Sequence, residues 1–104
     1  MTETATNPAV RELFEAINAG DRPRFLAALT ADATLSDDGT PQEVEDWIDR
    51  EVFAVNGHID VESQEPDGLS LIARYRNDTW GEMRTAWRFA VTDGKVGRID
   101  TGQA

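Results

Sequence analysis

The segment from residue 18 to residue 39, NAGDRPRFLAALTADATLSDDG, constrains the fold more than any other part of the chain. Gly20 is suited to end one helix in a left-handed conformation, and Asp21 is suited to cap the next one. The second helix leads into a short strand, predicted at residues 33–36, which ends on two adjacent aspartates. This order predicts two helices packed across the end of a sheet, with both carboxylates at that end.

Helical patterns also lie on either side of this segment. The first helix is predicted to begin at Asn7, a residue type that caps helix N termini, with Pro8 in its first turn. Its apolar residues recur at helical spacing. A third helix is predicted to begin at residues 40–43, TPQE, whose spacing fits a capping box, and to bury Trp47 on its apolar face.

The second half of the chain has the alternation of apolar and polar residues that is typical of strands. Four strands are predicted, at residues 58–65, 69–77, 82–92 and 96–101, with turns rich in Gly, Asn and Asp between them. Successive side chains of a strand point to opposite faces of a sheet, so the apolar face must meet the helices. The expected class is α+β, with three N-terminal helices packed on an antiparallel sheet.

The two faces of these strands differ sharply in composition. The inner face collects Ile59, Val61, Leu71, Ala73, Tyr75, Met83, Thr85, Trp87, Phe89, Val91 and Ile99. The outer face collects His58, Asp60, Glu62, Arg74, Arg76, Glu82, Arg84, Arg88, Arg98 and Asp100. Because the outer charges have both signs, we expect them to pair across neighbouring strands.

Composition excludes several classes of function. A net charge of −10 argues against nucleic acid as a partner, because phosphate binding needs a concentrated basic surface. The chain has no cysteine and one histidine, so neither a thiolate site nor a metal site nor a cofactor is expected. No apolar run reaches membrane-span length and no signal-like segment is visible, so we expect a cytoplasmic protein with no membrane partner. Residues 1–6 are predicted to be a flexible N terminus, and residues 7–104 a single domain.

The order of these pieces resembles the nuclear transport factor 2-like superfamily, and within it the small SnoaL-like proteins. The resemblance rests on NAGD at 18–21, LTADATLSDDG at 29–39, the third helix after Pro41, and WRFAVTDGKVGRI at 87–99. It implies a cone in which a bent sheet wraps the helices and an apolar pocket opens at the wide end. It also implies that a homodimer through the sheet faces is common.

Ketosteroid isomerase is the best understood relative implied by this resemblance, and its catalytic base would correspond to Asp37. Proton abstraction beside a carbonyl also needs hydrogen-bond donors for the enolate oxygen. The isomerase's tyrosine donor corresponds to Leu13, and its acid donor to Trp87, or to Arg88 with a one-residue shift. Neither position carries an equivalent group, which argues against isomerase chemistry.

Two other relatives are also incomplete in this chain. Limonene epoxide hydrolases use an Asp-Arg-Asp set in the pocket, whereas the arginines here fall on the outer face. Polyketide cyclases of the SnoaL type use a pocket acid and a histidine, whereas His58 has outward parity and a cross-strand partner is its simpler role. The last strand, predicted to end at 101, would also leave less pocket wall.

Asp37 is the candidate catalytic residue, as a general base whose pKa an apolar cone would raise. The alternative is that it shapes the turn before Gly39 or caps the next segment. If it points inward, the expected donors to its carboxylate are Trp87, Tyr75 and Thr85.

The candidate ligand-binding residues are Trp47, Tyr75, Trp80, Thr85 and Trp87. Core packing is the competing explanation for Trp47 and Trp87. Trp80 lies in a turn, where an exposed ring either gates a pocket, binds a partner or packs locally. Tyr75 has an apolar body and a polar tip, so it either bonds a ligand or reaches solvent.

Three functions remain open from the sequence. The first is binding of a small apolar or aromatic ligand in the cone, without catalysis. The second is an isomerase, cyclase or dehydratase that uses Asp37 as its base. The third is a protein-interaction module that acts through the charged sheet face. Any homodimer through this face should be polar and salt-sensitive, and a monomer is the alternative. The residues expected at such an interface are Arg74, Arg76, Arg84, Arg88 and Arg98, with Asp60 and Glu62.

Overall fold

Helices and one sheet make up the computed structural model, which describes residues 4–104. The helices are α1 (Pro8–Ala19), α2 (Arg22–Ala27) and α3 (Val44–Ile48), and α3 continues into a π-helical turn at Asp49–Phe53. The strands are β1 (Leu29–Asp37), β2 (Thr40–Gln42), β3 (His58–Gln64), β4 (Ser70–Asn77), β5 (Gly81–Thr92) and β6 (Lys95–Gln103). This is the α+β class predicted from the sequence.

The six strands form one sheet in the order β2-β1-β6-β5-β4-β3. All neighbouring pairs are antiparallel except β1 and β6, which run parallel. The prediction of a purely antiparallel sheet was therefore wrong for this one ladder. A parallel pair needs a long connection, and here everything from β2 to β5 lies between its two strands in the chain.

The first helix follows its sequence signals closely. The Asn7 side chain accepts hydrogen bonds from the backbone N–H groups of Ala9 and Val10, at 3.0 and 3.4 Å. Gly20 ends the helix with φ at 65°, a left-handed conformation that suits glycine. The buried stripe of α1 includes Leu13 and Phe14, as the helical spacing predicted.

Residues 40–43 do not form the predicted capping box. Asp38 and Gly39 both have positive φ, at 49° and 82°, as in the two-residue turns that favour β-hairpins. This turn sends Thr40–Gln42 back along β1 as an edge strand, where proline is tolerated. The third helix begins later, and its cap is Glu43, whose carboxylate accepts a hydrogen bond from the Asp46 N–H. β1 is also longer than the predicted 33–36, because Leu29 already pairs with Val96 of β6.

One backbone carbonyl of the π-helical turn after α3 accepts hydrogen bonds from the sheet. The Glu51 carbonyl accepts hydrogen bonds from the Tyr75 hydroxyl and from the Asn77 side-chain amide. Both donors lie near the end of β4, so this carbonyl joins the helical layer to the sheet. Short π-helical turns of this kind are frequent at functional sites.

The assignment of the two sheet faces is confirmed by burial. Trp87 and Phe89 are buried beneath the helices, whereas Arg84 and Arg88 are exposed on the other side. Of the predicted inner face, Met83 and Val91 are only half-buried. A bulge between Ala90 and Val91 shifts the register there.

Residues 4–6 make hydrogen bonds to the sheet and to the first helix. The Thr6 backbone N–H and hydroxyl both donate to the Gln64 side chain, whose own amide donates to the Thr4 carbonyl. Ala5 is buried, and its carbonyl accepts a hydrogen bond from Arg11. The flexible N terminus predicted for residues 1–6 stays a prediction, and its first three residues lie outside the described part of the chain.

We predict that Gly57→Ala destabilises the fold, because it disturbs Tyr75, whose hydroxyl joins β4 to the Glu51 carbonyl. A Cβ at this position would overlap the Tyr75 hydroxyl and lie 3.1 Å from two carbons of its ring. Overpacking of this kind costs about 1–3 kcal/mol in the free energy of unfolding, measurable by urea denaturation.

Two variants control this experiment. Gly97→Ala meets only the Thr30 side chain at 3.4 and 3.7 Å and should be close to neutral. In a Tyr75→Phe background the overlap with the hydroxyl disappears, so Gly57→Ala should cost less there. An equal cost in both backgrounds would show that the clash does not act through the Tyr75 hydroxyl.

Candidate functional site

A cleft of about 290 Å³ opens at the end of the sheet where β1 meets its hairpin turn. The end of β4, the start of β5, the end of β6 and the third helix complete its walls. We call this the aromatic cleft. All six side chains singled out from the sequence line it: Asp37, Trp47, Tyr75, Trp80, Thr85 and Trp87.

Asp37 faces the aromatic cleft and accepts a hydrogen bond from Trp47 Nε1 at 3.0 Å. The prediction that Trp87, Tyr75 or Thr85 would be its donor was wrong. The hairpin turn carries the chain back along β1, so the helix that follows places Trp47 beside Asp37. Trp47 is 6% exposed, so it both packs in the core and orients the carboxylate.

The three predicted donors bind other acceptors instead. Trp87 Nε1 donates to the Thr85 hydroxyl at 2.8 Å, and that hydroxyl donates to the Ala73 carbonyl at 3.0 Å. The Tyr75 hydroxyl donates to the Glu51 carbonyl. The hydrogen-bonding capacity of these buried side chains is therefore used within the protein.

Aromatic rings form much of the wall and floor of the cleft. Trp87 packs edge-to-face against Trp47, with ring centroids 6.4 Å apart, and lies stacked on Phe89 at 6.0 Å. Phe14 of α1 approaches Trp87 from the helical side at 5.8 Å. Trp87 is thus part of the core and also lines the cleft.

Trp80 lies at the rim and is 66% exposed, the largest exposure of any bulky apolar side chain in residues 4–104. Its turn is held from below by Asn77, whose side-chain oxygen accepts hydrogen bonds from the Thr79 and Trp80 backbone N–H groups at 3.0 and 2.8 Å. The backbone under the Trp80 ring is therefore fixed while the ring itself faces solvent.

Asp38 shapes the hairpin turn, the role that the sequence allowed for either aspartate. Its N–H donates to the Thr101 carbonyl at 2.8 Å, and its carboxylate accepts from the Gln103 N–H at 3.2 Å. Gly102 lies against this carboxylate so closely that a Cβ there would overlap it. The end of β6 is therefore tied to the turn, and it forms a wall of the aromatic cleft.

β6 runs to Gln103, beyond the predicted end at 101, and supplies the pocket wall that the sequence prediction expected to be short. Extending the strand alternation past Ile99 and past Tyr75 would have indicated Thr101, Gln103 and Asn77 as further lining residues. Glu51 carried no such signal, because its orientation depends on the π-helical turn.

Tyr75 is buried, and burial raises the pKa of its phenol above the ordinary value. The Asn77 side chain acts in the opposite direction, and the nearby negative charge of Glu51 adds to the increase in the pKa. A buried phenol that already donates to a carbonyl is poorly suited to act as a general acid at neutral pH.

The outer face of the sheet is a separate feature. Several of its charges pair within the chain: Glu62 with Arg84 at 2.7 Å and with Arg74 at 3.6 Å, and Asp100 with Arg98 at 2.8 Å. His58 contacts Asp60 of its own strand at 3.3 Å. The hydrogen bond from Arg84 lowers the pKa of Glu62. A shallow outer groove of about 820 Å³, lined in part by Arg88, Arg98 and Asp100, crosses this face.

No group of three His, Cys, Asp or Glu side chains in residues 4–104 is arranged to hold a metal ion. None of the helices in this range combines the length and the apolar composition that crossing a membrane requires.

Comparison with known proteins identifies the fold. No protein-family model and no curated protein matches the sequence. Among solved structures, RV0760c from Mycobacterium tuberculosis in complex with estradiol-17β-hemisuccinate is similar with a TM-score of 0.78 at 16% identity, covering 95% of this chain and 93% of that one.

Two other solved structures have the same architecture. An NTF2-like protein of unknown function from Cytophaga hutchinsonii gives a TM-score of 0.75 at 15% identity, over 96% of this chain and 90% of that one. The Δ5-3-ketosteroid isomerase from Mycobacterium sp. gives 0.74 at 15% identity, over 95% and 92%. The chain therefore has the nuclear transport factor 2-like fold, which confirms the fold predicted from its sequence.

We predict that stability falls above about pH 10, the ordinary pKa of a tyrosine side chain. The raised pKa keeps Tyr75 protonated in the folded protein at pH values where the unfolded chain has lost that proton. The folded state then binds more protons, so the free energy of unfolding decreases as pH rises through this range.

The chain has a single tyrosine, so tyrosinate absorbance during a pH titration reports on Tyr75 alone. Urea denaturation at each pH gives the stability, and Tyr75→Phe should lack the part of the decrease that Tyr75 causes. Formation of tyrosinate at the ordinary pKa while circular dichroism still shows folded protein would contradict the prediction.

Proposed function

We propose that this protein binds a small apolar or aromatic molecule in the aromatic cleft, without turning it over. The observation that carries the proposal is the cleft itself, which is open to solvent and walled by Trp47, Tyr75, Trp80 and Trp87. Its volume of about 290 Å³ lies at the small end of the usual range for ligand pockets. A ligand of one or two rings fits such a space better than a large polycyclic one.

The hydrogen bonds around the cleft favour binding over catalysis. Chemistry through an enolate or a tetrahedral oxyanion needs donors aimed at the developing charge. Four buried donors of the cleft, those of Trp47, Tyr75, Thr85 and Trp87, are already committed to Asp37, Thr85 and backbone carbonyls. Redirecting one of them towards a substrate would leave a buried acceptor unpaired, at a cost of about 1–3 kcal/mol.

Catalysis by an isomerase, cyclase or dehydratase remains the second candidate, because one observation favours it. Asp37 points into the cleft with a single donor, Trp47, which leaves lone pairs available to take a proton. The similarity to a ketosteroid isomerase supports the same possibility at the level of fold only. Catalysis requires the Asp37 carboxylate as a base, whereas ligand binding without catalysis does not.

We predict that 2-naphthol raises the melting temperature of the protein and that the increase survives Asp37→Asn. Binding to the folded state stabilises it by about 2.7 kcal/mol when the free ligand is at a hundred times its Kd. For a domain of this size that corresponds to an increase of roughly 10 °C or more. Differential scanning fluorimetry measures the shift as a function of ligand concentration.

Two variants test whether the ligand occupies this cleft. Trp80→Ala removes an exposed ring at the rim and should reduce the shift with little effect on the unliganded protein. Lys95→Ala, at the opposite end of β5 and β6, should leave it unchanged. The absence of any shift would contradict binding, and turnover of a carbonyl substrate that disappears in Asp37→Asn would establish the enzyme instead.

We also propose that the protein forms a homodimer through the outer face of its sheet. The proposed location of the protein is the cytoplasm. The strand register aligns Ile72, Ala86 and Gly102 across the middle of this face, where all three are half-buried. Small and apolar residues at the centre, with paired charges around them, are typical of an interface core and rim.

We predict that Ala86→Glu converts such a dimer to a monomer, because it places a charge at the centre of the contact. Thr92→Glu, at the exposed end of the same strand, is the control. Sedimentation equilibrium at low and high salt should show a dimer that weakens with salt and that is lost in Ala86→Glu alone. A wild-type monomer at low salt would contradict this.

A further inference from the structure

We propose that the ligand of the aromatic cleft is an organic cation, a protonated amine or quaternary ammonium group carried on an apolar ring-bearing body. The proposal rests on the ligand-binding function proposed above and specifies the chemical class of that ligand. It depends on a combination of aromatic walls, an excess of carboxylates and a shortage of buried donors in one cavity.

Three acidic residues line the cleft, Asp37, Asp38 and Glu51. None of its lining residues, all of which lie in the described part of the chain, is a lysine, arginine or histidine. Arg50 compensates Glu51 from the exposed side, with Arg50 Nε 3.2 Å from Glu51 Oε1. The two aspartates make no ion pair within residues 4–104, so they leave the cleft with an uncompensated negative charge.

The aromatic walls favour the same charge. The face of an indole or phenol ring carries the negative part of its quadrupole and attracts cations, and tryptophan is the strongest of these rings. Three tryptophans and the one tyrosine of the chain line this single cavity. At the rim, the ring of Trp80 is the most exposed of the four and is available to cover a bound cation.

The distribution of donors favours a cation over an anion in the interior. Trp47, Tyr75, Thr85 and Trp87 direct their polar hydrogens to acceptors of the protein. The remaining side-chain donors of the lining are the exposed Trp80 and Gln103 at the rim and the second amide hydrogen of Asn77. The interior therefore offers mainly acceptors and aromatic rings, which suit a ligand that brings its own hydrogens or positive charge.

A charge series on one carbon skeleton tests the proposal. Isothermal titration calorimetry compares 4-phenylbutylamine, which is cationic at neutral pH, with the neutral 4-phenylbutanol and the anionic 4-phenylbutyrate. The amine should bind at least about ten-fold more tightly than the alcohol, a difference of about 1.4 kcal/mol, and the carboxylate should bind most weakly. Added salt should narrow the difference between the amine and the alcohol.

Variants that remove one charge and keep the shape assign the effect to the cleft. Asp37→Asn retains an acceptor for Trp47, and Asp38→Asn suits the left-handed conformation of that turn. Each should weaken binding of the amine by about three-fold or more, as expected for loss of a nearby opposite charge, and leave the affinity for the alcohol unchanged.

Asp93→Asn is the matched control, because Asp93 has a φ of 53° in the turn at the far end of β5. It changes the net charge of the chain equally, so it separates a local effect from the general attraction of a protein with a net charge of −10. It should leave the affinity for the amine unchanged. An equal loss in Asp93→Asn would show that the preference for cations comes from the whole molecule and would overturn the proposal.

The outcomes for the two proposals are distinct. If the alcohol binds as tightly as the amine, the cation proposal is wrong while the cleft remains a ligand site. If the carboxylate binds most tightly, the cleft prefers anions and the cation proposal is wrong. If none of the three probes binds at millimolar concentration, both the cation proposal and the proposed binding function fail.

Discussion

The packing of Trp87 against two helices, α1 and α3, is the interaction on which the rest of the structure depends. This one ring on β5 contacts Phe14 of α1 and Trp47 of α3 and stacks on its neighbour Phe89. Its indole N–H is satisfied inside the same face by Thr85, so the large ring is buried without leaving a polar group unpaired. The same ring then forms the inner end of the aromatic cleft, which makes the site an extension of the core.

Most of the sheet could be predicted from the sequence because its information is local. Alternation places Trp87 and Phe89 inside and Arg84 and Arg88 outside, and the strand boundaries were within two residues of those observed for β3 to β6. The six candidate residues line one cleft because four of them belong to the face or the turn that alternation defines, Asp37 to the strand end next to it, and Trp47 to the helix that follows the hairpin turn.

The errors arose where a backbone conformation is decided by two residues or by distant partners. Asp38 and Gly39 turn the chain sharply, and this converts an apparent capping box into an edge strand. The contact of Trp47 with Asp37 follows from that turn, so no residue pattern within α3 could indicate it. The role of the Glu51 carbonyl depends on a π-helical turn, for which the sequence carries no comparable signal.

The parallel pairing of β1 with β6 has a consequence for the order in which the molecule is assembled. Asp37 and its pairing partner Thr101 are separated by most of the chain, so closing this ladder carries a large loop entropy. Non-local pairings of this kind slow folding. During synthesis, β1 must wait for the final strand to emerge from the ribosome, with only its short hairpin partner beside it. The aromatic cleft is therefore among the last features of the polypeptide to form during synthesis.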